Sequence, residues 1–287
     1  MLVFANVLWS LNYATTKFAL GEWQPLAFSI TRFAVAGVAF SLIVLVHEGS
    51  LRIERRDWSL VLACAAVGIT LNQLSFNYSL IYTGAGNVAL IMASAPAFAA
   101  LFAAGLRHEH VRRHHWAALL VSLVGVTLVV EGGAEIAGFT IKGDLLALGA
   151  AVTWAAYSVM LRPLFSRYSA ARLSAVIILA GTVMLTPFAA SQAVSQDYAS
   201  LSPLHIAAWA YSAVFPLLVT NLLYFHALRH IGAARATLYM YLQPFLGAAF
   251  AALLLGETLS GLQLAGGVVI VVGVALGQWW GRVRVAA

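Results

Sequence analysis

Apolar runs of about twenty residues, separated by short turns that carry most of the charge, fill the 287-residue chain from end to end. A bilayer core takes about 20 apolar residues per helix, so each run reads as a membrane-crossing helix. The pattern predicts ten: 2–20, 28–46, 60–81, 85–106, 116–130, 145–161, 173–190, 206–228, 233–255 and 262–280. The fifth is short enough to need local thinning of the bilayer. Met1 leads straight into the first run without a basic stretch, so that run is expected to be a true first helix rather than a leader.

The runs repeat. A shift of 148 carries Gly84-Ala85 onto Gly232-Ala233, Pro96 onto Pro244, Glu109 onto Glu257 and Gly125 onto Gly273. A shift of 145 carries Trp9 onto Trp154, Asn12 onto Tyr157 and Lys17 onto Arg162. Each half then holds five helices, and an odd number inserts the halves in opposite directions. The expected fold is an all-α integral membrane protein of ten transmembrane helices, built as two inverted five-helix repeats over 1–130 and 144–287 with a linker at 131–143.

Composition strengthens this reading. Hydrophobic residues make up 62% of the chain and charged residues 9%, against about 25% in soluble domains, so lipid must be the solvent for most of the surface. The net charge of +6 does not point to nucleic acid, because the basic residues lie in turns. Arg52, Arg55, Arg56, Arg107, Arg112, Arg113, Arg162, Arg167, Arg172, Arg229, Arg235, Arg282 and Arg284 fall on one side, and only Lys17 and Lys142 on the other. The positive-inside rule places both termini in the cytoplasm of a cell whose inner, plasma membrane holds the protein. The single cysteine, Cys64, lies in an apolar run and reads as packing. No cofactor and no metal is expected, since no ordered ligand spacing appears.

Polar residues within the runs carry the chemistry. Gln73, Phe76, Asn77 and Leu80 share one helical face, and the 148 shift maps Gln73 to Asn221 and Phe76 to Tyr224. Tyr239 with Gln243, Asn87 with Ile91 and Ser94, Trp9 with Asn12, and Trp154 with Tyr157 have spacings that put each set on one face. An amide in hydrocarbon is costly unless bonded, so these residues must face protein or a wet cavity. Any one of them could be interhelical glue; as a set they suit a small neutral or zwitterionic solute, with the aromatics stacking on its apolar parts.

Pro96 and Pro244 fall mid-run at matched positions. Each should interrupt its helix and expose backbone groups near a transport site. Pro216 adds a third kink with no evident counterpart. The acidic residues all lie in turns or at run ends, so no intramembrane carboxylate is expected. Arg32 is expected to snorkel outward, the alternative being that it faces the cavity and binds a carboxylate; Lys17 is expected to anchor at the interface, with a gating role the lesser alternative. The small-residue series Ala85, Ala89, Ala93, Ala97 and Ala147, Ala151, Ala155 let helices approach closely, and leave room for a homodimer.

Tyr82-Thr-Gly-Ala-Gly-Asn-Val-Ala-Leu-Ile followed by Ala95-Pro96 resembles the fourth-helix signature of the EamA family, of the drug/metabolite transporter superfamily. Gln243-Pro244 with Leu254-Leu255-Gly256-Glu257-Thr258 is similar, and Gly143-Asp144-Leu145-Leu146-Ala147-Leu148 with Trp154-Ala155-Ala156-Tyr157 resembles its sixth helix. Arg107-His108-Glu109 departs from it, because the family usually has Gly before that Glu. The resemblance covers essentially the whole chain. It implies a cavity lined mainly by helices one, three, four, six, eight and nine, and a transporter, not an enzyme. Family members commonly export amino acids and related metabolites. A nucleotide-sugar or phosphate-ester carrier is the alternative, and an uncoupled channel a lesser one.

Overall fold

The computed structural model describes residues 1–105, 113–133, 139–224 and 237–282. Helices follow one another with no strand among the described residues: α1 (Leu2–Ala19), α2 (Pro25–Glu48), α3 (Arg55–Tyr82), α4 (Ala85–Met92 and Ala95–Gly105), α5 (Arg113–Gly133), α6 (Ile141–Met160), α7 (Ala170–Ser195), α8 (Pro203–Tyr224), α9 (Gln243–Leu255, led in by the 3₁₀ turn Thr237–Leu242) and α10 (Gly261–Arg282). Glu109 and Gly232-Ala233 lie outside the described residues.

Local chemistry sets the ends. Pro25 and Pro203 open α2 and α8 where a missing N–H costs nothing. The hydroxyls of Thr140, Ser169 and Ser202 accept from the third residue on and cap α6, α7 and α8. Gly49 and Gly256 close α2 and α9 at φ of 70° and 65°, a conformation that a Cβ would strain.

Six of the described helices, in α2, α3, α4, α6, α7 and α8, are long and apolar enough to cross a membrane; shorter apolar stretches lie at Leu120–Gly133, Gln243–Leu255 and Gly261–Leu276. Their outer faces carry bare aliphatic side chains such as Val46, Val183 and Leu253, exposed by 80%, 71% and 78%. Water would not tolerate such a surface, and the chain is an integral membrane protein. Helix α5 spans 21 residues but opens on Arg113, His114 and His115, so its apolar stretch stays short, as the sequence pattern predicts.

Neighbouring helices run alternately. At one end of the bundle Gln24 meets Gln196, Tyr82 meets Thr140 and Lys17 meets Glu257. At the other, Asp57 bonds Arg167 and Tyr168, and Glu48 bonds Ser169 and Arg172. We call these the Lys17 end and the Asp57 end. Helix α2 packs along α7, α5 along α10, and the first segment of α4 against α9. Helix α3 packs on α6 while α1 packs on α8; the second segment of α4 packs on α6 while α1 packs on α9.

Small residues allow the closest contacts. A Cβ at Gly125 would stand 2.7 Å from the Gly266 carbonyl oxygen, and one at Gly247 2.5 Å from the Ala89 methyl. Ala85, Ala89, Ala97, Ala147, Ala151 and Ala155 are all buried, as bundle packing requires.

Candidate functional site

The expected interruptions occur at both prolines. Helix α4 breaks between Met92 and Ala95, a turn before Pro96, which has no N–H to give the Met92 carbonyl; in the break the Ile91 carbonyl accepts both from the Ser94 N–H at 3.0 Å and from Ser94 Oγ at 2.7 Å. Pro244 opens the α-helical part of α9 after the 3₁₀ turn Thr237–Leu242. That turn has about three residues per revolution, so Tyr239 and Gln243 do not share a face as α-helical spacing predicted. Tyr239 is 38% exposed, whereas the Gln243 amide donates to Asn6 Oδ1 at 2.9 Å.

A second pair of interruptions was not legible as a pair. Helix α3 contains a π-helical stretch, Ala66–Leu71, and α8 contains another, Phe215–Val219. The 148 shift sets Gly68 against Pro216 and lays one π-helical stretch upon the other. Each stretch receives an aromatic from the neighbouring helix. Trp9 of α1 donates to the Pro216 carbonyl at 3.1 Å and lies 5.6 Å from the Tyr224 ring. On the other side Tyr157 of α6 fills the space over Gly68, where a Cβ would meet its ring at 2.3 Å. Trp154 stacks obliquely on Tyr157 at 5.7 Å and is 36% exposed. Asn221 turns back on its own helix and donates to the Leu217 carbonyl at 2.6 Å, serving the disturbed ladder rather than facing Gln73's surroundings.

The remaining predicted residues join two buried networks. The first centres on Arg32, which is 3% exposed and therefore does not snorkel. One guanidinium nitrogen donates to Ser212 Oγ of α8 and another to Gln73 Oε1 of α3 at 2.7 Å. Ser212 donates to Asn12 Oδ1 of α1 at 2.6 Å, which also accepts from Thr16 at 3.2 Å. Gln73 donates to Asn72 Oδ1, and Asn77 Nδ2 donates to Ser29 Oγ and to the Gln73 carbonyl. The Phe28 and Phe33 rings lie 5.0 Å from the guanidinium carbon. Sequence periodicity picked out Asn12, Gln73 and Asn77; it missed Arg32, because a cation seven residues into a helix reads equally well as an interfacial anchor.

The second network lies at the Lys17 end. Asp144, 4% exposed in the first turn of α6, accepts from Thr83 at 2.9 Å and from the Asn87 amide. Asn87 in turn accepts from Gln263 of α10 at 3.2 Å. Asp144 thus stands at a helix end, as expected, with its side chain buried in the bundle. Beside it the Glu257 carboxylate accepts from the backbone N–H groups of Ala85 and Gly86 at 2.8 and 3.0 Å, capping α4 where the helix end favours negative charge. Lys17 sits 3.3 Å from the same carboxylate and donates to the Thr83 carbonyl at 2.6 Å. It is tied into the bundle rather than extended to the interface. One bond set thereby joins α1, α4 and the α9–α10 turn.

A cavity of about 360 Å³ opens beside Met1, Val219, Leu222 and Leu223. Its lining is aliphatic and holds none of the predicted polar residues.

Comparison with known proteins places this architecture. The model of the EamA-like transporter family matches residues 1–131 and 141–277. A "Probable terminal-alkyne amino-acid exporter" of Streptantibioticus cattleyicolor is 27% identical over 96% of this chain and 91% of its own length. A "Probable amino-acid metabolite efflux pump" of Salmonella typhimurium is 25% identical over 97% and 93%. An "Uncharacterized transporter" of Archaeoglobus fulgidus is 26% identical over 96% and 95%. A solved crystal structure superposes with a TM-score of 0.68 at 21% identity, covering 100% of this chain and 98% of that one, which shows the fold alone. The family and these relatives are transporters by name, not enzymes. With apolar helices over most of its length and a family match across both halves, the chain belongs to the EamA-like transporter family and is a multi-pass membrane transporter of small molecules.

Proposed function

We propose that the protein is a secondary exporter of small metabolites, amino acids or close relatives, working by alternating access between two oppositely inserted five-helix halves. The observation that carries this reading is the polar seam where Asn12 and Arg32 of the first half meet Ser212 of the second. A transporter needs groups that hold a polar solute and come from parts that can separate. Hydrogen bonds between side chains of different helices are worth only about 0.6 kcal/mol each in a membrane, so such a seam can exchange partners.

The packing supports the two-half arrangement. Exchange α1 with α6, α2 with α7, α3 with α8, α4 with α9 and α5 with α10: each principal helix contact maps onto another, or onto itself. The matched interruptions at Pro96 and Pro244, and at Gly68 and Pro216, supply places for the helices to bend. The Glu257 clasp holds the Lys17 end shut. With the arginine-rich Asp57 end facing the cytoplasm, both termini lie inside, and Lys17 and Glu257 close the outer side of the plasma membrane. Amino-acid-type substrates are favoured by the names of the two exporter relatives and by amide donors and acceptors beside a single cation. A phosphate ester would call for several convergent cations, and Arg32 is the one that the described residues bring to this seam.

Purified protein in liposomes tests the proposal. Counterflow of a labelled amino acid should saturate with concentration and compete with unlabelled solute. Flux that rises linearly without competition would instead mark a channel, and would sink the alternating-access reading.

A further inference from the structure

Arg32 has an unusual electrostatic position. It lies seven residues into α2, about 10 Å from the start of the helix at 1.5 Å per residue, and is 3% exposed. A buried ion costs several kcal/mol unless an opposite charge compensates it. Among the described residues no carboxylate forms an ion pair with it; its acceptors are the neutral oxygens of Gln73 and Ser212. Its Nε–H has no acceptor among the described residues. A structural arginine would be expected to acquire a carboxylate here, or to be replaced by an apolar residue. The counterpart of Arg32 under the 145 shift is Ile177, fully buried toward the Asp57 end, so the matched place in α7 is filled without a cation.

A second orphan lies beside the first. Asn77 Oδ1 is buried without a donor, while its Nδ2 is fixed by three oxygens, one of them the Gln73 carbonyl. That carbonyl settles which end of the amide is the donor. Gln73 Oε1 accepts from both Arg32 and Asn77, so the unsatisfied donor and the unsatisfied acceptor belong to two residues that share one partner. The partners of the guanidinium also come from opposite halves, Gln73 from α3 and Ser212 from α8.

We propose that Arg32 and Asn77 form the recognition point for a zwitterionic α-amino acid, the guanidinium taking its carboxylate and Asn77 Oδ1 its ammonium group. This rests on the alternating-access reading above and names the substrate class of that seam. In the closed arrangement Gln73 and Ser212 stand in for the carboxylate oxygens. When the halves part, Ser212 withdraws with α8, and the anion replaces it with a charge-assisted bond stronger than the neutral one. The transported class must then carry a free carboxylate, and esters or amides of the same compounds would bind poorly.

Thermal unfolding of the purified full-length protein tests this with glycine, acetate and glycinamide, which offer both groups, the carboxylate alone and the amine alone, without a side chain to confuse the result. At equal ionic strength glycine should raise the Tm most, acetate less and glycinamide least, because a ligand that binds the folded state raises apparent stability. Arg32→Gln should raise the apparent Kd for glycine and for acetate at least tenfold. Should that variant fail to fold, Gln73→Glu serves instead: it places a carboxylate on the guanidinium, should fold, and should abolish the glycine and acetate shifts. Asn77→Ala should remove the advantage of glycine over acetate.

Equal shifts from glycine and glycinamide, no shift from glycine or acetate, or an unchanged glycine shift in folded Arg32→Gln or Gln73→Glu would each overturn the proposal. If these shifts appear but liposomes show no saturable flux, the transport reading fails and the binding site stands. Saturable flux of amino acids that is indifferent to Arg32 and Gln73 sinks the site alone.

Discussion

Gln73 and Asn221 stand 148 residues apart at matched places in α3 and α8, a few residues beyond matched π-helical stretches. They carry the same functional group and use it differently. Gln73 holds a guanidinium brought in by α2, whereas Asn221 mends the backbone of its own helix. The cause lies outside both residues. Helix α2 presents Arg32, and its counterpart α7 presents Ile177. On the two-half arrangement proposed above, the scaffold supplies two equivalent polar positions, and a single residue on a neighbouring helix decides which one meets a charge. The chemistry is one-sided, nearer the Lys17 end than the Asp57 end.

The comparison can be broken most severely by forcing symmetry on it. Ile177→Arg would bury a second cation in an apolar cluster with Phe33, Leu173 and Ile178. An uncompensated buried charge costs about 3–5 kcal/mol, so this variant should fail to yield monodisperse protein by size-exclusion chromatography. Gln73→Ala should be next. It strips one acceptor from the buried guanidinium and should lower stability by about 1–3 kcal/mol, read as a fall in Tm.

Glu257→Gln keeps the shape but weakens the charged bonds to the Ala85 and Gly86 N–H groups and loses the pairing with Lys17. It should cost about 1 kcal/mol, and a cysteine placed at Thr83 should react faster with a membrane-impermeant thiol reagent. The smallest effect belongs to Asn221→Ala, at about 0.6 kcal/mol. If Asn221→Ala proved as damaging as Gln73→Ala, the asymmetry between the two halves would be lost. The substrate dependence of the variants should follow the same order, with amino-acid counterflow impaired by Gln73→Ala and largely spared by Asn221→Ala.

Periodicity was enough to find an all-helical membrane protein, because lipid demands long apolar runs and leaves little freedom in how they are written. The aligned prolines were equally legible: a residue that cannot donate must break a helix wherever it stands mid-run, and Pro96 and Pro244 do so. Family resemblance was carried by short motifs around Gly84, Asp144 and Glu257, and the family match extends it across both halves. The face shared by Gln73, Phe76, Asn77 and Leu80 was also readable, and all four are buried.

Other features depend on what a helix packs against, which spacing along one helix does not encode. A π-helical stretch needs no proline, so the one at Ala66–Leu71 left no mark beyond Gly68. Arg32, Lys17 and Asp144 each sit near a helix end, where a charged side chain can reach water as easily as protein; only the neighbouring α3, α8, α4 and the α9–α10 turn decide that all three face inward. The sequence by itself determined that the chain lives in lipid as a bundle of helices with polar residues on chosen faces, since burial of backbone and apolar surface depends on local pattern. Tertiary structure alone decided which polar groups meet, because the energy of a buried charge or amide is set by the partners that other helices bring to it.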